Sequence, residues 1–192
     1  MSIILSSTLL LQLTLMSGAL YIEPDPQDPK AENAAVAEKV VKFETSIVEF
    51  PTKKLVGMKV RTSMEKAGAD GGALWQAFTP RMSEVCKEPK GMFGVSVMVS
   101  ESEFDYWAAL EMTPEEPLPE GMGEVTILKG AYVRCTVPSI EKMGDAYMYL
   151  YTEWSGGQTK YVINQEASAF EHMPGDWQMG KPFDIYVPIK AK

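Results

Sequence analysis

Two short runs near the C-terminus, Ala169-Phe170-Glu171-His172-Met173 and Phe183-Asp184-Ile185-Tyr186-Val187-Pro188-Ile189, decide how the rest of the chain is read. Both have the character of strands, and the stretch from Pro174 to Pro182 between them is rich in Gly, Pro and Asp. The second run alternates. Phe183, Ile185 and Val187 fall on one face, and Asp184, Tyr186 and Pro188 on the other. The first carries a single carboxylate, Glu171, in largely apolar company. On a strand, such a carboxylate faces either bulk water or a pocket, and a one-residue change of register exchanges the two. The pocket is the expectation carried forward.

Upstream, the same pattern occurs twice. Ser46–Phe50 and Leu55–Thr62 read as extended pieces broken at Pro51, and Ala67–Gly72 as a turn cluster with Asp70 as the N-cap of a helix. Leu74, Phe78, Met82 and Val85 recur at helical spacing, with Pro80 as a kink. Phe93–Val99 and Phe104–Met112 form a hairpin through Ser100–Glu103, and Thr113–Gly123 reads as a linker between halves. Then the order restarts. Glu124–Pro138 is extended and broken at Gly130. A helix opens at Ser139-Ile140 with Tyr147, Leu150, Tyr151 and Trp154 in period, and Gly156-Gly157 ends it. Tyr161–Met173 and Phe183–Ile189 supply the last strands. Strand, helix, strand, strand, twice over, predicts an α+β fold: a duplicated β-α-β-β unit, a mainly antiparallel sheet and two helices packed on it.

A chain of 192 residues suffices for one domain with a sizeable core. Its formal charge of −8 and the lack of a basic helix or helix-turn-helix pattern argue against nucleic acid as a partner. Cys86 and Cys135 fit no CxxC or metal spacing and read as buried free thiols, and the 13 methionines read as adaptable core packing. Residues 1–22 include an apolar, nearly uncharged stretch from Ile3 to Ile22. It is long enough to cross a bilayer, and with Ser17-Gly18-Ala19 it also fits an export signal. No basic residues precede it, which leaves a segment packed on the domain as the other reading. Residues 23–42 begin with Glu-Pro-Asp-Pro-Gln-Asp-Pro-Lys and read as a linker. The expectation is therefore an exported or membrane-tethered domain over residues 43–192, with a cytoplasmic protein as the alternative.

Several stretches in order resemble the GyrI-like family of effector-binding domains, which occur alone or attached to AraC-type and MerR-type regulators. They include Val48-Glu49-Phe50-Pro51 with Leu55-Val56-Gly57, Leu74-Trp75-Gln76-Ala77-Phe78, Phe104-Asp105-Tyr106-Trp107, Lys129-Gly130-Ala131-Tyr132-Val133, Phe170-Glu171 and Asp184-Ile185-Tyr186-Val187-Pro188. The resemblance implies a ligand pocket where the two halves meet, with Glu171 at the family's pocket glutamate. The family's Phe-Glu-x-Tyr pattern reads Phe170-Glu171-His172-Met173 here, without the Tyr.

An aromatic cage around one carboxylate suits a flat or cationic organic ligand. The candidate lining residues are Glu171, Glu111, Trp75, Phe78, Tyr106, Trp107, Tyr132, Trp154 and Tyr186; plain core packing is the ordinary alternative for each aromatic. The first expectation is a small-molecule-binding module for an amphipathic aromatic ligand, either neutral or cationic. The second follows from the resemblance, since some stand-alone members are hydrolases that open electrophilic cyclopropane groups of DNA-alkylating natural products. Glu111 or Glu171 would then be the base and Tyr106 or Tyr132 the proton donor. The third is a tethered protein-binding adaptor. Neither a metal nor a cofactor is called for; haem on the single histidine, His172, in a SOUL-like fold, is a minor alternative.

Overall fold

The computed structural model describes residues 42–112 and 117–192, and Phe43–Lys192 form one compact unit. The expected signal or anchor over residues 1–22 and the linker up to residue 41 lie outside the described residues. Among those described, no helix is long and apolar enough to cross a membrane.

The chain runs β1 (Glu44–Phe50), β2 (Lys53–Ser63), α1 (Ala67–Phe78), a 3-10 turn (Thr79–Arg81), α2 (Met82–Val85), β3 (Gly91–Met98) and β4 (Glu103–Glu111). It continues with β5 (Gly123–Ile127), β6 (Gly130–Val137), a 3-10 turn (Ile140–Lys142), α3 (Met143–Tyr149), a π-helical turn (Leu150–Trp154), β7 (Tyr161–Ile163), β8 (Ala169–Pro174) and β9 (Phe183–Ala191). The strands form one open sheet in the order β1-β6-β9-β8-β3-β4-β2-β5, each neighbouring pair antiparallel, with β7 added at the end of β9. β2-α1-β3-β4 and β6-α3-β8-β9 are the two copies of the β-α-β-β unit, and they meet at the β3–β8 pair.

The two remaining strands are exchanged. β1 precedes the first unit yet pairs with β6 of the second, and β5 precedes the second yet pairs with β2 of the first. The break at Pro51-Thr52 does not close a β1–β2 hairpin but sends the chain from one half to the other. Each half is thereby edged by a strand that the other half's sequence introduces.

Register fixes which side chains face the helices. Cys135, Ile185, Glu171, Gly94, Ala108 and Met58 stand side by side across β6, β9, β8, β3, β4 and β2. This row lies on the helix side. There Ala108 packs with Leu74, Phe78 and Val85, while Cys135 and Ile185 pack with Ala146, Leu150 and Trp154. The adjacent row, Arg134, Tyr186, Phe170, Val95, Trp107 and Lys59, faces the opposite way. Among the described residues that face carries no helix, and it holds a second apolar cluster around Phe93, Phe170, Tyr132 and Tyr186. Phe170 lies parallel to Tyr186 at 4.6 Å and 6°, and Phe50 from β1 closes on both at 4.7 and 5.2 Å. Offset ring pairs of this kind add to the stabilisation that their buried area brings.

Three local expectations change. α1 starts at Ala67, so Asp70 is not its cap; the carboxylate accepts a 2.6 Å hydrogen bond from the Thr62 hydroxyl instead. The glycine-rich start has poor helix propensity, and burial of Gly71, Leu74 and Phe78 against the sheet overrides it. Tyr161–Met173 is not continuous: Asn164 Oδ1 accepts from the Glu166 N–H at 3.2 Å and turns the chain between β7 and β8. Cys135 is buried and free as expected, whereas Cys86 is free but only half-buried.

Phe170 is fully buried where β1, β3, β6 and β9 converge. Phe170→Ala is expected to cost about 3–5 kcal/mol in urea denaturation, as large-to-small changes in packed cores do. Leu128→Ala, at a half-exposed position, is expected to stay within about 0.5 kcal/mol.

Candidate functional site

Glu171 sits at the middle of the helix-side row, 3% exposed, beneath the gap between α1 and the α3 segment. Its neighbours explain how a carboxylate can occupy that position. Gly94 of β3 is directly opposite and has no side chain; a Cβ there would stand 1.9 Å from Glu171 Oε2 and 2.4 Å from the Tyr106 hydroxyl. The bare backbone of Gly94 is the floor on which both polar groups rest.

Two phenols hold the carboxylate, one from each half of the fold. Tyr106 of β4 donates to Oε2 at 3.0 Å, and Tyr147 of α3 donates to Oε1. The Trp75 indole N–H of α1 donates to the Tyr106 oxygen at 3.2 Å, so a chain of hydrogen bonds runs from α1 through β4 and β8 to α3. Tyr151, one turn beyond Tyr147, stacks on it at 6.3 Å and 24° and is 43% exposed, placing an aromatic face at the rim. The π-helical turn that starts at Leu150 carries Tyr151, and such turns recur at functional positions.

None of the described lysines or arginines forms an ion pair with Glu171. Burial therefore dominates and pushes its carboxyl from the usual 4.5 up to about 7, although the hydrogen bonds from Tyr147 and Tyr106 pull the other way. Burial, reinforced by the Glu171 charge, raises both phenols well above their ordinary value, so they stay protonated donors. Asp105 shows the opposite behaviour. On the other face it accepts from Arg61 at 2.5 Å and Lys59 at 2.7 Å, and Arg61 above all holds it below the usual carboxylate range.

The sequence-derived candidates separate into two groups. Glu171, Tyr106 and Trp75 meet in one hydrogen-bonded set. Phe78 is buried in the core beneath α1, and Trp154 in the core beneath the helix that ends at Gly156. Trp107, Tyr132, Tyr186 and Glu111 lie on the helix-free face. There Tyr132 donates to the Leu128 carbonyl at 2.8 Å, the Lys59 ammonium lies 5.3 Å from the Trp107 ring centre, and Glu111 bonds Lys53. Of the base and donor pairs considered, the fold brings Glu171 to Tyr106; Glu111 and Tyr132 are on the other side of the sheet from them. Tyr147 and Tyr151 were legible as helix positions, but their spacing fits core packing equally well, and only α3 docking on β8 aims them at Glu171. His172 stacks on Phe93 at 4.7 Å. Among the described residues no group of three or more His, Cys, Asp or Glu is arranged to hold a metal ion.

A duplicated α+β unit with a buried acidic group under its two helices defines an effector-binding domain. The family of integron-associated effector binding proteins matches residues 46–189, and the chain belongs to that family. The transcriptional regulator BrlR of Pseudomonas aeruginosa is 28% identical over 158 residues, which is 79% of this chain and 57% of the regulator's length. The protein SAV2435 bound to tetraphenylphosphonium has a similar structure, with a TM-score of 0.63 at 16% identity over 77% of this chain and 94% of that one. An integron cassette protein from the mobile metagenome of Vibrio cholerae does also, with a TM-score of 0.61 at 16% identity over 76% of this chain and 95% of that one.

The sign of the pH dependence at Glu171 follows from its raised proton affinity. The folded state binds the proton more tightly than the unfolded chain, so this group's stabilising contribution is complete below about pH 4.5 and is lost as pH rises through about 7. Above that range the ionised form costs the fold roughly 3 kcal/mol. Glu171→Gln is expected to gain on the wild type by about that amount between pH 4.5 and pH 8.5, read from denaturation midpoints across the range. A constant difference would show that Glu171 ionises as freely in the fold as in water.

Proposed function

We propose that the domain captures an amphipathic organic cation with delocalised charge, and that Glu171 is the group that meets the charge. One observation carries this reading. Among the described residues, a carboxylate is buried at the junction of the two halves with no cation of its own, held by two neutral phenols. Such a site is costly when ionised and empty of countercharge, and a bound cation supplies what it lacks. Trp75, Tyr106, Tyr147 and Tyr151 bring aromatic rings to its neighbourhood, and a ring face that a cation reaches attracts it by roughly 0.5–2 kcal/mol. The tetraphenylphosphonium carried by the structurally similar SAV2435 is a ligand of this kind and supports the same reading.

The carboxylate is covered by its own hydrogen-bond donors. Tyr106 and Tyr147 satisfy both carboxylate oxygens, and a ligand reaches Glu171 once the phenol of Tyr147 swings aside. The free energy of that opening is subtracted from the intrinsic affinity. Tyr147 and Tyr151 share one helical segment, so a ligand that displaces the first contacts the ring of the second.

Tetraphenylphosphonium titrated into the full chain by calorimetry is expected to bind saturably, and Glu171→Gln to weaken it at least about tenfold. Neutral triphenylphosphine oxide is expected to bind far more weakly than the cation. Only ionised Glu171 attracts the ligand, so affinity is expected to be about tenfold lower at pH 6 than at pH 8, and this dependence to vanish in Glu171→Gln. Equal affinity of the cation for both proteins would overturn the reading.

A further inference from the structure

The helix-free face is concave beside His172, and the sheet itself separates this hollow from Glu171. Thr136, Asp184, His172 and Phe93 stand side by side there across β6, β9, β8 and β3. Two clefts of about 300 and 320 Å³ open beside them, and His172 lines both. Ligand clefts span roughly 300–1,000 Å³, so each suits a molecule of one or two rings.

The first cleft joins an aromatic wall to a charged lip. Phe93, Phe50 and Tyr186 line the wall, and the His172 ring stacks on Phe93 at 4.7 Å and 28°. Gly91 makes this possible, since a Cβ there would stand 2.4 Å from His172 Nε2. Lys53, Lys90 and Glu111 form the lip. Lys53 and Glu111 bond each other and cancel. Lys90 is exposed and forms no ion pair among the described residues, so the lip has one ammonium to spare. The nearby carboxylate of Asp184 lines the adjoining cleft, where the Thr136 hydroxyl holds it at 2.7 Å. Burial lowers the proton affinity of His172, with Asp184 and Glu111 pulling upward and Lys53 downward, so at neutral pH the imidazole offers one donor and one acceptor.

We propose that this cleft is a second binding site, selective for a small planar aromatic carboxylate. Its ring lies against the open side of the His172 imidazole, which Phe93 backs, and against Phe50, and its carboxylate meets Lys90. The Asp184 carboxylate on the far side of His172 repels the acid group and fixes which end enters first. The two faces of the sheet then take ligands of opposite charge: a cation under the helices at Glu171, an anion at Lys90. The second site depends on none of the groups that hold Glu171.

The chain has a single histidine, so the ring signals of His172 in two-dimensional NMR report this cleft without ambiguity. Titration of the full chain with 2-naphthoate is expected to shift those signals saturably. Lys90→Glu, at an exposed position that leaves the fold intact, is expected to weaken the binding about fivefold or more, and added salt to weaken it further. The cationic isostere 2-naphthylmethylammonium is expected to leave the His172 signals in place. Unmoved His172 signals with 2-naphthoate, equal affinity in Lys90→Glu, or equal response to the ammonium compound would each overturn the assignment.

Discussion

The pair of hydrogen bonds from Tyr106 and Tyr147 to Glu171 is the constraint on which the functional architecture depends. A buried carboxylate without a countercharge is among the most expensive groups a core can contain. Here it lies on the seam between two copies of one folding unit, and each copy contributes one phenol. Trp75 extends the same chain of donors to the first helix. The helices are therefore tied to the sheet through one polar group as well as through their apolar faces, and a ligand that competes for that group acts on both halves together.

The exchange of edge strands makes the two halves hard to separate. β1 seals the second half and β5 the first, and Phe50 at the end of β1 closes on the stacked Phe170 and Tyr186. Phe170 and Glu171 are adjacent on β8 and face opposite ways. Phe170 anchors the aromatic cluster on the helix-free side, and that fixes the register that turns Glu171 inward on the other. The residue that gives stability and the residue that costs it are thus coupled through the pleat of one strand.

Glu111 illustrates the same logic in the opposite sense. It is on β4 in the same alternation as Trp107 and Ala109, so it faces away from the helices and neutralises Lys53 at the lip of a cleft. Both glutamates read as strand residues and pocket candidates, since a strand considered alone does not reveal which alternating face meets the helices. The same holds for Tyr132 and Tyr186, whose aromatic character suited either cluster. Tyr147 is legible as a helix position but not as a pocket candidate, because helical spacing marks a residue as facing the sheet, and not which side chain of the sheet it meets.

The order of strand, helix, strand, strand in two copies was determined by the sequence alone, because hydrophobic periodicity and Gly/Pro punctuation are local signals. So was the prominence of Phe170-Glu171, an apolar run interrupted by one acid. The exchange of β1 and β5, the start of α1 within a glycine-rich stretch, and the division of the candidate residues between two faces were decided by tertiary structure. Each of these depends on which segments pack against one another, and contact between segments tens of residues apart leaves no trace in either segment's own pattern.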